Sequence, residues 1–91
     1  MTINQETYQH LLTKLVQEQM IILGPSIGLD IARQIKNLRV DENGNVLKIL
    51  SDPQQILNDI NKLYIEISPH TTRNTLLTLL TKYPDIQKPV L

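Results

Sequence analysis

Cysteine, phenylalanine and tryptophan are all absent from the 91 residues, and tyrosine occurs only at positions 8, 64 and 83. Without a thiol the chain can hold no disulfide framework, no thiolate-ligated zinc and no cysteine nucleophile. Without large aromatics its core has to be aliphatic. An excess of either charge is missing as well: nine Lys plus Arg balance nine Asp plus Glu. No global field therefore steers the chain toward nucleic acid or an anionic membrane, and a charged partner has to be met locally. Long apolar runs are lacking too. The longest, Met20 to Leu23, falls far short of the roughly 20 residues of a membrane span. The first residues have neither the basic nor the apolar region of a secretory signal. A cytoplasmic chain without a membrane partner is the expectation.

What is abundant is leucine and isoleucine, which together supply 27 of the 91 residues. At this length the expectation is one domain over 1–91, burying only about 60 to 65% of the surface it exposes when unfolded. Stability is then marginal unless something adds to it, and self-association is one simple source.

Periodicity predicts a mainly α fold: a compact four-helix domain with a small β-hairpin between helices 2 and 3. The first helix is expected over about 5–23, starting near Asn4 or Thr7. Tyr8, Leu11, Leu12, Leu15, Val16, Met20 and Leu23 recur at spacings of three and four and form one stripe. Gln9, Thr13, Lys14, Gln17 and Glu18 fall on the opposite, solvent side. Gly24 ends this helix and Pro25 suits the first turn of the next, expected over about 25–38 with Ile27, Ile31, Ile35 and Leu38 inward. Gly28 costs about 1 kcal/mol of helix propensity relative to Ala. Close packing of Gly28 and Ala32 against the first helix offsets it.

The period changes after Leu38. Asn43-Gly44 between Leu38-Arg39-Val40 and Val46-Leu47-Lys48-Ile49 is a strong hairpin signal, placing a ribbon over about 39–50. It leans on the helices through Leu38, Val40, Val46 and either Leu47 or Ile49, because an isolated hairpin is marginal in water. Asp52 then caps a third helix over about 53–67, with Pro53 at its first position and Ile56, Leu57, Ile60, Leu63, Tyr64 and Ile67 inward. A fourth is expected over about 71–83, capped by Thr71 or Thr72, with Leu76, Leu77, Leu80 and Tyr83 inward. The tail 84–91 is expected to be extended, packing through Ile86, Val90 and Leu91 or fraying.

Several residues could carry chemistry. His10 with Lys14 invites a phosphoryl-acceptor reading, but the lysine sits at i+4 and no glycine follows, so an ordinary surface pair is expected. Asp41, Asn43 and Asn45 alternate as calcium ligands do. Gly44 and Asp52 nevertheless fail the glycine and glutamate positions of a calcium loop, and turn chemistry explains the segment. Ser68-Pro69-His70-Thr71-Thr72-Arg73-Asn74 puts hydroxyls and cations at a helix start, where a phosphate could bind and where a plain N-cap suffices. No sequence motif for a hydrolase, a nucleotide-binding loop or a metalloprotease occurs, so the chain is expected to be no enzyme and to use no cofactor or metal.

Ile21, Leu29, Ile65 and Leu79 fall off the core stripes. Their convergence would form a surface for a protein partner or a second copy, a homodimer being expected. A non-enzymatic interaction or regulatory module is the leading expectation. The alternative is a small winged-helix-like nucleic-acid binder using Arg33, Lys36, Arg39 and Lys48. It is weakened because only two helices precede the hairpin and the net charge is zero.

Overall fold

The computed structural model describes residues 5–89, with helices α1 (Gln5–Leu23), α2 (Pro25–Arg33), α3 (Pro53–Ile67) and α4 (Pro69–Leu80) and strands β1 (Leu38–Val40) and β2 (Val46–Ile49). The expected class, four helices with a hairpin between the second and third, is the one observed. The possible start at Asn4 and the contacts of Val90 and Leu91 lie outside the described residues.

α1 forms because its apolar residues keep a helical period over nineteen residues. Tyr8, Leu11, Leu12, Leu15 and Val16 are buried, with Met20 and Leu23 packed at the core's edge. Gly24 breaks the helix with φ +93°, and Pro25 opens α2 at once. Gly28 lies so close to α1 that a Cβ there would stand 2.7 Å from the Met20 Cα and amide nitrogen. The two helices thus meet backbone to backbone, which accounts for a glycine in mid-helix.

Two boundaries depart from the sequence expectation. α2 stops at Arg33, not near Leu38, so Ile35 and Leu38 reach the core from a turn and a strand. Leu38 cannot pair with Ile49 and also continue a helix. α4 begins at Pro69 with Ser68 in the cap position, not at Thr71 or Thr72, and ends at Leu80. Proline at the first helical position needs no N–H partner, and this sets the earlier start. α4 is also rotated from the expected stripe: Thr72, Leu76 and Leu79 are buried while Leu77 is exposed. Ile27 and Ile67, expected inward, are exposed as well. The ends of α2 and α3 project past the core.

β1 and β2 pair antiparallel, with Leu38 opposite Ile49, Arg39 opposite Lys48 and Val40 opposite Val46. The shift between Arg39 and Val40 leaves Leu47 as the extra, exposed residue, so Ile49 and not Leu47 faces inward.

What holds this ribbon is the side of α1 expected to face solvent. Gln9 Nε2 donates to the Val46 carbonyl at 2.7 Å, Thr13 Oγ1 accepts from the Val46 amide at 2.9 Å, and Gln17 Nε2 donates to the Asn43 carbonyl at 3.2 Å. Met20 continues that line beneath the turn, where a Cβ on Gly44 (φ +82°) would lie 2.6 Å from its sulfur. These four residues recur at helical spacing along one side of α1. Gln9 and Thr13 occupy the edge of β2, which would otherwise present unpaired backbone groups, while Gln17 and Met20 support the turn.

α3 starts as expected: Asp52 Oδ2 accepts from the Gln55 amide at 3.1 Å, and Pro53 fills the first position. The chain after α4 turns back and buries Ile86, and the Gln87 carbonyl accepts from Gln54 Nε2 at 2.9 Å.

Candidate interaction surface

Among the described residues three polar side chains are fully buried between these aliphatics: Gln19, Asn61 and Thr72. Gln19 Nε2 of α1 donates to Thr72 Oγ1 of α4 at 3.0 Å, and that hydroxyl lies 3.3 Å from Ser68 Oγ. Thr72 therefore serves as a core contact and not as a helix cap. The Tyr64 hydroxyl donates to the Gly28 carbonyl at 2.8 Å, and burial pushes its pKa far up. Tyr8 donates to Gln54 Oε1 at 2.7 Å; its pKa rises through burial first and the nearby Asp52 carboxylate second. Gln19, Asn61 and Thr72 gave no signal in the apolar stripes, because their polarity sets them apart from those stripes.

At the turn, both Asp41 carboxylate oxygens are engaged: Oδ1 accepts from the Asn43 and Asn45 amides, each at 2.9 Å, and Oδ2 from Asn45 Nδ2 at 3.0 Å. The Asn45 side chain and backbone hold the carboxyl below its ordinary pKa, assisted by the Asn43 amide and the Arg33 charge. The alternation of Asp41, Asn43 and Asn45 is thus accounted for by a self-bonded turn.

The four residues expected to form a docking patch do not do so. Ile21 is strongly exposed, Ile65 is half-buried, and Leu29 and Leu79 are buried. Leu29 sits on a short helix that packs against both α1 and α3. Leu79 turned inward with the rotation of α4. Another set of apolar side chains is left in water instead: Ile21 is 77% exposed, Ile27 53%, Ile67 52% and Ile22 39%. They share one end of the molecule. Ile21 and Ile22 belong to the last turn of α1 and Ile27 to the first turn of α2. Ile67 lies one turn beyond Tyr64, which is bonded to Gly28 of that same α2 turn. A shallow groove at this end is lined by Met20, Ile21 and Pro25, with Gln17 and Asn43 at its rim.

The basic residues are divided. Arg33 lies near the Asp41 carboxylate. Arg39 and Lys48 stand directly opposite each other across the ladder, and Arg39 Nη1 reaches the Lys36 carbonyl at 3.4 Å. Like charges so placed destabilise a strand pair, on the order of 0.2 to 1 kcal/mol. All four cations are exposed.

His10 and Lys14 line an open cleft of about 800 Å³ between α1 and the hairpin, with Glu6, Asp41, Asn45 and Tyr83 around it. This space is a surface trough and not a cavity in the core. His70 is exposed on the first turn of α4. Among the described residues no helix is long and apolar enough to cross a membrane, and no cluster of three potential metal ligands forms. Comparison with family models, with curated proteins and with solved structures gives no match for this chain.

Proposed function

We propose that the chain is a non-enzymatic protein-interaction module that self-associates through its isoleucine end. The observation that carries this is the exposure of Ile21, Ile22, Ile27 and Ile67 at a single end of the fold. Aliphatic side chains scattered singly over a surface need no explanation, whereas four of them together favour a cover.

A second copy suits the surface because the formal net charge is zero, so two copies meet without long-range repulsion. Burying the exposed part of one isoleucine contributes about 1 kcal/mol. Four from each copy supply roughly 8 kcal/mol before the cost of association, itself about 4 to 15 kcal/mol. The balance describes a weak, concentration-dependent pair.

Sedimentation equilibrium over a concentration series tests this directly. The expected mass rises above 10.4 kDa toward twice that value as concentration increases, and Ile21→Asp with Ile67→Asp returns it to the monomer while helicity is retained. A mass fixed at the monomer value throughout the series overturns the proposal.

A further inference from the structure

We infer that the outward face of the hairpin, built from Arg39, Lys48 and Leu50, docks an acidic segment of another polypeptide that also carries an aliphatic side chain. Arg39 and Lys48 are opposed in register, and among the described residues neither is ion-paired. The Arg39 guanidinium is steadied by the Lys36 carbonyl at 3.4 Å, which brings Lys36 alongside. The Leu50 amide donates to the Asn37 carbonyl at 2.8 Å and extends the pairing by one step beyond β2. The strand period of two then places Leu50 on the same face as Lys48, and Leu50 is 51% exposed. Leu38, Val46 and Ile49 fill the opposite face and are buried. The fold gains nothing internally from two facing cations on a ribbon that is marginal by itself. A carboxylate laid between them turns that repulsion into attraction, and Leu50 offers an apolar anchor beside it.

The position of the acids selects a peptide over a larger anionic surface. Ionised Asp41 and exposed Glu42 stand at the turn, where a nucleic-acid backbone or a bilayer spread across the hairpin would meet like charge. A single peptide segment running from Arg39 and Lys48 toward Leu50 leads away from the turn.

The test is fluorescence anisotropy with the full chain and a labelled peptide of alternating glutamate and leucine. Its controls are the same peptide with lysine for glutamate, duplex DNA, and vesicles of phosphatidylserine and phosphatidylcholine. The acidic peptide is expected to bind, and more weakly as salt is raised. Arg39→Gln with Lys48→Gln should weaken it about tenfold, and Leu50→Ser should weaken it separately. The amide resonances of Asn43 and Gly44 report whether each variant keeps the hairpin. The inference is overturned if the acidic peptide does not bind, or if the lysine peptide binds equally. It also fails if DNA or vesicles bind more tightly, or if the double glutamine variant keeps both its hairpin and its full affinity.

Discussion

The Tyr64 hydroxyl of α3 donates to the Gly28 carbonyl of α2 across 2.8 Å inside the core. This bond joins the only phenol that is fully buried to the helix that packs tightest on α1. Burial raises the Tyr64 pKa well above its ordinary 10.0. For a group whose folded pKa is raised, the stabilisation is fully present below the unfolded pKa and is lost as pH climbs past it. The chain is therefore expected to lose stability steadily above pH 10.0. Tyr64→Phe should cost about 1 kcal/mol at neutral pH, by removing this buried hydrogen bond, and should flatten the alkaline slope. Urea titrations of both proteins at neutral and alkaline pH check both effects, and equal slopes would contradict the assignment.

Two glycines separate steric from conformational need. A Cβ at Gly28 would press on the Met20 backbone at 2.7 Å, whereas one at Gly24 meets nothing within 4 Å but sits at φ +93°. Gly28→Ala should therefore cost about 1 to 3 kcal/mol, despite its better helix propensity, because α1 and α2 have to separate. Gly24→Ala should cost about 1 to 3 kcal/mol through backbone conformation alone, because φ +93° with ψ 149° is a region that side chains with a Cβ hardly enter. Thermal melts rank the two, and a stabilising Gly28→Ala would mean that the helices part without penalty.

Much of this architecture is legible in sequence, and the failures have physical causes. α1 and α3 announce themselves because their buried positions are nearly all apolar, so spacing alone selects the face. In α4 the run Leu76-Leu77-Thr78-Leu79-Leu80 is compatible with more than one stripe. What selects Leu76 and Leu79 is Thr72, whose hydroxyl accepts from Gln19 of another helix. A pairing fifty-three residues apart leaves no local trace. Gln9, Thr13 and Gln17 are polar and so read as solvent-facing, although their common helical period was visible. The candidate surface was misplaced for the same reason. Whether Leu29 or Ile27 is covered depends on which elements flank α2, and the periodicity of α2 does not encode its neighbours.

The stripe on α1 can be tested at Thr13, which is half-buried and accepts from the Val46 amide. Thr13→Val preserves shape and removes the acceptor, leaving that amide without its partner. The expected loss is about 1 to 2 kcal/mol. Hydrogen exchange should quicken at Val46 and at the turn before it does so in α3. Uniform acceleration across the chain would show that the hairpin and helices unfold only together.

Asn61 offers the sharpest energetic test, because both polar atoms of its fully buried side chain have no hydrogen-bond partner. Burying an unpaired amide costs on the order of 1 to 3 kcal/mol in proteins. Gln19 meets half of its own requirement through Thr72 and leaves only Oε1 unpaired. Asn61→Leu nearly preserves side-chain volume, removes both unpaired atoms and adds apolar contact, so it is expected to stabilise the chain by about 1 to 2 kcal/mol. Asn61→Ala removes the same polar atoms but opens a cavity, so it should gain less. That order, leucine above alanine, is the diagnostic in a chemical-denaturation series. If Asn61→Leu destabilises instead, the amide is satisfied by an internal water that the leucine expels, and high-resolution density at the Asn61 side chain would reveal it.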